Sequence, residues 1–174
     1  LKTEIPQQLG FPAVIKRSGG SHGENVYLVK SQAELDQALV RLKPQEEKEN
    51  KRFIGQEYIP NQGDFRVLVL GNQALGAIKR KRTQDQFRNN VSRGGKATIV
   101  ENLTDQLKKI ATDAAKAVDL SFAGVDIVLR ESDNQPFIFE VNRSPQFYGF
   151  MQATGTNVPA KIAHFLVEQK MEVK

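Results

Sequence analysis

Residues Phe122 to Asn142 read FAGVDIVLRESDNQPFIFEVN, and the polar residues inside this stretch decide the fold. The runs FAGVDIVL and PFIFEV are rich in β-branched and aromatic residues, and Glu131, Ser132, Asp133 and Asn134 separate them. That pattern predicts two strands joined by a polar turn, a β-hairpin. Asp126 interrupts the first strand, and Glu140 and Asn142 end the second, two residues apart. The two-residue period of a strand puts Glu140 and Asn142 on one face, and the hairpin brings Asp126 beside them. A carboxylate in an apolar strand is costly to bury unless it is paired or ligates a cation. Three oxygen ligands from adjacent strands suit Mg²⁺ or Mn²⁺. The competing reading pairs Asp126 with an arginine and leaves Asn142 to begin a turn before Pro145.

The flanking sequence is that of a globular chain. Its 174 residues are 39% hydrophobic and 26% charged, enough for one substantial core in one or one and a half domains. No apolar run approaches the roughly eighteen residues of a membrane span, and LKTEIPQQLG lacks a signal-peptide core. A cytoplasmic protein with no membrane partner is therefore the default expectation. The absence of Cys excludes disulfides, thiol catalysis and zinc–thiolate sites, and the isolated His22 and His164 do not make a histidine metal site. The net charge of +5 is concentrated. Lys79, Arg80, Lys81, Arg82, Arg88, Arg93 and Lys96 face only Asp85 between positions 79 and 96, a basic stripe that implies a polyanionic partner: a nucleic acid, nucleotide phosphates or an acidic substrate.

Taken in order, Leu1 to Gly10 holds no complete element and no start methionine, and reads as the tail of something longer. FPAVIK (Phe11 to Lys16) and ENVYLV (Glu24 to Val29) read as antiparallel strands around the loop RSGGSHG, whose glycines and serines can turn amides toward an anion, with Lys16 placed to meet a phosphate. Ser31 and Glu34 form a capping box before an amphipathic helix carrying Leu35, Ala38, Leu39 and Leu42. KPQEEKENKR (Lys43 to Arg52) reads as a solvated connection. FIGQEYI, DFRVLVLG and ALGAIKRKR predict a three-stranded meander in which Asp64 and Arg66 share a face. Their plain reading is a surface ion pair; their functional reading is an acid for ribose hydroxyls and an arginine facing phosphates. Thr83 to Lys96 reads as a long functional loop. A second helix starts at the N-cap Thr104 and runs through Leu107, Ile110, Ala111, Ala114 and Val118 into the hairpin. RSPQFYGFMQATG reads as turns, and a last helix capped by Asn157 directs Ile162, Phe165 and Leu166 to the core.

FPAVIK, the glycine loop, QEYI, DFR, FRNN with SRGG, AGVDI and EVNRSP stand in the order found in ATP-grasp enzymes, and the chain most resembles the ribosomal-protein S6 glutamate ligase (RimK-type) branch over Phe11 to Glu168. The resemblance implies an α+β ATP-grasp fold: a central subdomain over 1–59, truncated at its N-terminus, and a C-terminal subdomain over 60–174, two antiparallel sheets clasping ATP. The family's N-terminal domain is missing from this reading, which predicts an excised portion of a longer protein.

By position, the resemblance places Lys16 on the ATP phosphates and Gly19, Gly20, Ser21 and Gly23 in the flexible cover. It places Glu57 and Tyr58 at the adenine hinge, Asp64 on the ribose, and Arg88, Asn89 and Asn90 toward the nucleotide and the reacting phosphoryl group, while Arg66 joins the nucleotide-binding set as the arginine read above to face phosphates. Asp126, Glu140 and Asn142 match the ligands of two Mg²⁺ (or Mn²⁺) ions, and Arg88 and Arg93 would be the catalytic residues that stabilise the anionic acylphosphate or grip the substrate carboxylate. The implied function is an ATP-dependent ligase that activates a carboxylate as an acylphosphate and joins an amino acid, plausibly glutamate, through an amide bond. The alternatives are an ATP-grasp kinase acting on a hydroxyl, and a non-catalytic nucleotide- or RNA-binding module using the stripe from Lys79 to Lys96. A homo-oligomer is left open. Arg143, Gln146, Phe147 and Tyr148 depart from the branch's usual small-residue and glycine-containing turn, which points to a different substrate.

Overall fold

The computed structural model describes residues 1–18, 25–49, 52–81 and 97–172. The chain divides into two compact units, Leu1–Ile59 and Pro60–Lys174.

The first unit is a three-stranded antiparallel sheet with a helix on it. β1 (Ala13–Arg17) is central, flanked by β2 (Val26–Val29) and β3 (Phe53–Glu57). Alternation along β1 buries Ala13 and Ile15, which pack with Val29 against Leu35, Ala38 and Leu42 of α1 (Gln32–Glu49). Ser31 Oγ accepts from the Glu34 amide at 3.3 Å, and Glu34 reaches back to accept from the Lys30 amide at 2.8 Å, which fixes the helix start.

Three expectations for this unit are corrected. The charged run after Leu42 is not a connection: α1 carries Pro44 inside it and continues to Glu49. Glu, Gln and Lys are good helix formers, and Lys43 and Glu47 pair at 3.7 Å one turn apart. The first ten residues do form an element, a π-helical turn over Ile5–Leu9 that buries Ile5. Ile5 lies over Gly55, where an added Cβ would stand 2.8 Å from its side chain. Finally, FIGQE does not join a meander with DFRVLVL. As β3 it pairs with β1 in the first sheet.

The second unit holds a five-stranded antiparallel sheet in the order β6-β5-β4-β7-β8, where β4 is Gly63–Leu70, β5 Gln73–Lys81, β6 Ala97–Ile99, β7 Phe122–Leu129 and β8 Pro136–Asn142. The predicted hairpin is β7–β8. One face carries Val67, Val69, Ala77, Ala123, Val125 and Ile127 and packs on Leu107, Ala111 and Ala115 of α2 (Asp105–Ala117). Thr104 caps that helix, accepting from the Leu107 amide at 3.3 Å.

The residues between these alternate to the other face, which has two zones. Toward one end Leu68 and Ile78 pack on Phe150 of α3 (Tyr148–Thr154) and Val158 of α4 (Val158–Glu172). Toward the other end the same face is charged. α3 corrects the expectation of turns after Asn142: Phe150 is buried there, and Phe147, just before the helix, meets Phe122 edge-on with ring centres 6.0 Å apart. Asn157 caps α4 as expected, its Oδ1 accepting from the Ala160 amide at 3.1 Å, but Leu166 is 58% exposed and does not face the core. No helix among the described residues is long and apolar enough to cross a membrane.

Candidate functional site

Strand register assembles the charged zone. Asp64 on β4 is the Cα partner of Arg80 on β5, and Arg66 on β4 is the partner of Asp126 on β7. Asp126 is in turn the partner of Glu140 on β8, and Gly124 that of Asn142. Six polar side chains from four adjacent strands therefore share one face. A bulge follows Asp126: Ile127 pairs with Ile138, so Phe139 is the extra residue of β8. Glu140 and Asn142 lie beyond it and keep the alternation expected from sequence, while Val141 between them packs toward α2.

Asp126, only 6% exposed, receives four donors on two oxygens. Arg66 grips it with both arms of its fork, Nε to Oδ1 at 2.7 Å and Nη2 to Oδ2 at 2.6 Å. Arg80 Nη2 reaches Oδ2 at 3.0 Å, and the Asn142 amide Nδ2 at 3.3 Å. Asn142 Nδ2 also donates to the Gly124 carbonyl at 3.3 Å. Arg80 is held on its other side by Asp64, through Nε at 2.9 and 3.2 Å and a closer Nη2 contact. The arginine reading of Asp126 weighed from sequence is thus realised, by two arginines, together with its proximity to Asn142. Asp64 and Arg66 are not a surface pair with each other: each is paired across the strands with a different partner.

Gly124 leaves room for this arrangement. A Cβ there would stand 2.7 Å from Pro145 and 3.7 Å from the Arg66 stem, so the turn after β8 folds closely over β7 only because position 124 has no side chain.

Burial governs the electrostatics. Desolvation raises the Asp64 carboxyl from 3.8 to about 6, Arg80 pulling against it and Asp126 pushing with it. For Arg80 burial favours the neutral form, but Asp126 and Asp64 together outweigh it and raise its pKa, so it stays a cation. An acid that binds its proton more tightly in the folded state contributes stability that is complete below its unfolded pKa and is lost as pH rises through the folded one. Relative to Asp64→Asn, the wild type is expected to lose up to about 3 kcal/mol of unfolding free energy between about pH 4 and pH 7. Denaturant titrations across that range check this, and a pH-independent difference contradicts it.

Asp126, Glu140 and Asn142 present two carboxylates and an amide oxygen from neighbouring strands, hard donors that fit Mg²⁺ or Mn²⁺. Asn142 stands within contact of Asp126 through Nδ2, which also donates to the Gly124 carbonyl, so its amide oxygen would join a cation beside Asp126 by a turn of the amide. No group of three His, Cys, Asp or Glu suited to a metal occurs among the described residues, so any cation site here relies on the asparagine.

The remaining expected residues are placed as follows. Lys16 is half-buried on β1, opposite Val26 and Ile54. Glu57 ends β3, exposed, and Tyr58 follows it half-buried. Gly19, Gly20, Ser21, Gly23, Arg88, Asn89, Asn90 and Arg93 lie outside the described residues. The basic stripe is not one surface where it is described: Arg80 is 7% exposed in the network, while Lys79 lies over the Phe65 ring, 5.4 Å from its centre. Asp64, expected to accept from a ribose, is 2% exposed with both oxygens on Arg80. Sequence reasoning missed Arg80 as a site residue, although Ile78 and Arg80 alternate with Ala77 and Lys79 in a strand.

The RimK-like ATP-grasp domain matches residues 1–166. The chain belongs to the RimK-like ATP-grasp family. It is 38% identical over 164 residues to a probable alpha-L-glutamate ligase 2 of Pseudoalteromonas atlantica, covering 91% of this chain and 51% of that protein. It is 40% identical over 159 residues to a probable alpha-L-glutamate ligase of Trichodesmium erythraeum, covering 90% and 51%. The chain thus spans about half the length of these curated relatives. Among solved structures, the ATP-grasp ligase PsnB complexed with minimal precursor, Mg and ADP superposes with a TM-score of 0.67 at 20% identity, over 95% of this chain and 48% of that one. A biotin carboxylase from Campylobacter jejuni superposes with the same TM-score at 16% identity, over 90% and 37%. These establish the ATP-grasp fold.

Proposed function

We propose that this RimK-like chain is the nucleotide-binding and catalytic part of an ATP-dependent carboxylate–amine ligase that adds an amino acid, glutamate, to a peptide or small-molecule carboxylate. The observation that carries the proposal is the union, on one sheet face, of the oxygen trio Asp126, Glu140 and Asn142 with Arg66 and Arg80, in a family whose curated relatives are named glutamate ligases.

In this reading the acceptor carboxylate attacks the γ-phosphorus of ATP and ADP leaves, giving an acylphosphate. The amine then attacks the acyl carbon, phosphate departs, and the ammonium proton is lost to solvent. Asp126, Glu140 and Asn142 would hold Mg²⁺, which supplies charge neutralisation at the phosphates. Lys16 and the loop Gly19 to Gly23 would meet phosphates, Glu57 and Tyr58 would border the adenine, and Arg88, Arg93, Asn89 and Asn90 would face the transferring group. Asp64 fixes Arg80, and Arg80 in turn fixes Asp126. No covalent enzyme intermediate is needed, which suits a chain without cysteine.

Charge balance favours this assignment. Among the described residues of this face two arginines stand against three carboxylates (Asp64, Asp126 and Glu140), a setting in which a divalent ion between carboxylates and phosphates is favourable.

The test incubates the protein with ATP, Mg²⁺, glutamate and candidate peptide carboxylates, following phosphate release and product mass. Phosphate release that requires both carboxylate and amine, with a product heavier by one glutamyl residue, supports the ligase. A phosphorylated hydroxyl as the stable product replaces it with the kinase reading.

A further inference from the structure

Arg66 and Arg80 both bind Asp126, but they are not equivalent. Arg80 has a second carboxylate, Asp64, and keeps it whatever happens at Asp126. Among the described residues Arg66 has Asp126 as its one ion-pair partner, and its side chain is the more exposed of the two, 16% against 9%. The Asp126 oxygens are saturated by this arrangement: Oδ1 takes Arg66 Nε, and Oδ2 takes Arg66 Nη2, Arg80 Nη2 and Asn142 Nδ2. A cation can share this carboxylate only if a donor leaves. Asn142 frees one place on Oδ2 when its amide turns; of the two arginines, the one whose departure breaks no second ion pair is Arg66.

We propose that Arg66 is a positioning residue that couples cation binding to phosphate binding: it holds Asp126 while the site is free and is released as Asp126 turns to a divalent ion, its guanidinium then becoming a phosphate ligand on the same face. The proposal rests on the reading of Asp126 as a metal ligand and adds an exchange to it. Its physical content is mutual exclusion relieved by a third party. Without phosphate, a cation at Asp126 competes with a bidentate guanidinium and leaves Arg66 a cation without a carboxylate. Without a cation, a phosphate must draw Arg66 away from Asp126 and leave a buried carboxylate short of two donors. When both arrive, Asp126 keeps a positive partner and Arg66 keeps a negative one. Each ligand therefore strengthens the other, and by linkage the two factors are equal. Gly124 permits the movement, since the Arg66 stem runs past a position that carries no side chain.

The experiment uses Mn²⁺ and inorganic tripolyphosphate as probes, with free Mn²⁺ read by electron paramagnetic resonance. In the wild type, saturating tripolyphosphate is expected to tighten Mn²⁺ binding about 10-fold beyond the affinity that tripolyphosphate itself has for Mn²⁺ in protein-free controls. In Arg66→Gln, Mn²⁺ alone is expected to bind about 10-fold tighter than in the wild type, because its competitor is gone, and the coupling is expected to fall toward unity. Arg66→Lys, which keeps the charge but not the fork, provides a second variant with intermediate coupling if the glutamine variant is poorly folded. Unchanged or weaker Mn²⁺ affinity in folded Arg66→Gln, with coupling retained, overturns the exchange while leaving the metal site intact. Absence of Mn²⁺ binding to the wild type under both conditions overturns the metal reading and the exchange with it. Loss of Mn²⁺ binding in Glu140→Gln marks the trio as the site being measured.

Discussion

Glu140→Gln is expected to weaken Mg²⁺-dependent binding of a nonhydrolysable ATP analogue about 100-fold or more while leaving the fold in place. Glu140 sits at the open end of β8, exposed, whereas its Cα partner Asp126 is buried beneath two arginines. It is thus the trio's most accessible charge. Removing one negative charge from the face would by itself favour a phosphate. A loss of affinity confined to Mg²⁺-containing conditions therefore points to a carboxylate that acts through a cation. Such a ligand contributes several kcal/mol of charge stabilisation, and about 2.7 kcal/mol already corresponds to a 100-fold change. Because Glu140 is exposed, the change in unfolding free energy is expected to stay below about 1 kcal/mol. Calorimetric titration with and without Mg²⁺ reads the first effect and thermal unfolding the second. Affinity that rises or holds in the variant contradicts the assignment.

Arg80→Met is expected to be the most destabilising single change in the second unit, costing about 3–5 kcal/mol. Arg80 stands between Asp64 and Asp126, all three buried, and is the only cation among the described residues that touches Asp64. Methionine keeps much of the stem's volume but leaves Asp64 with no cation and Asp126 with Arg66 alone. At this size the midpoint of thermal unfolding should fall by roughly 10 °C or more. Adding Asp64→Asn should recover part of the loss, because it removes the carboxylate that has no partner left. A double variant no more stable than Arg80→Met would place the cost elsewhere than in the stranded charge. The contrast between the two substitutions is informative: Glu140 serves a ligand and hardly the fold, Arg80 the fold first.

The hairpin from Phe122 to Asn142 was legible because its signals are local: two apolar runs, a polar turn, and acidic residues whose spacing fixes their face. The same holds for the caps at Thr104 and Asn157, where one side chain and one amide set the boundary. What sequence did not reveal depends on pairing between distant segments. β3 lies next to β4 in the chain but pairs with β1, and neither strand's composition distinguishes the two partners. α1 runs past Leu42 because helix propensity and a lysine–glutamate pair extend it after the apolar stripe has ended.

At the site, Asp126, Glu140 and Asn142 could be gathered from one hairpin. The arginines could not, since Arg66 and Arg80 reach Asp126 only through the β4 register with both β5 and β7. Arg80 was hidden for a further reason. Counted along the chain it belongs to a run of basic residues, whereas strand alternation sends it to the opposite face from Lys79. A charge run inside a strand is two half-runs, and only the register tells which half is buried.

This charged face is expected to bind nucleotide phosphates through a cation held by Asp126, Glu140 and Asn142. Calorimetric titration of the wild-type chain with a nonhydrolysable ATP analogue, in Mg²⁺ and then in a chelator, tests it most directly. The predicted result is binding in Mg²⁺ that weakens at least about 10-fold in chelator, with Asp126→Asn and Glu140→Gln insensitive to the change. Equal affinity in both conditions would contradict it.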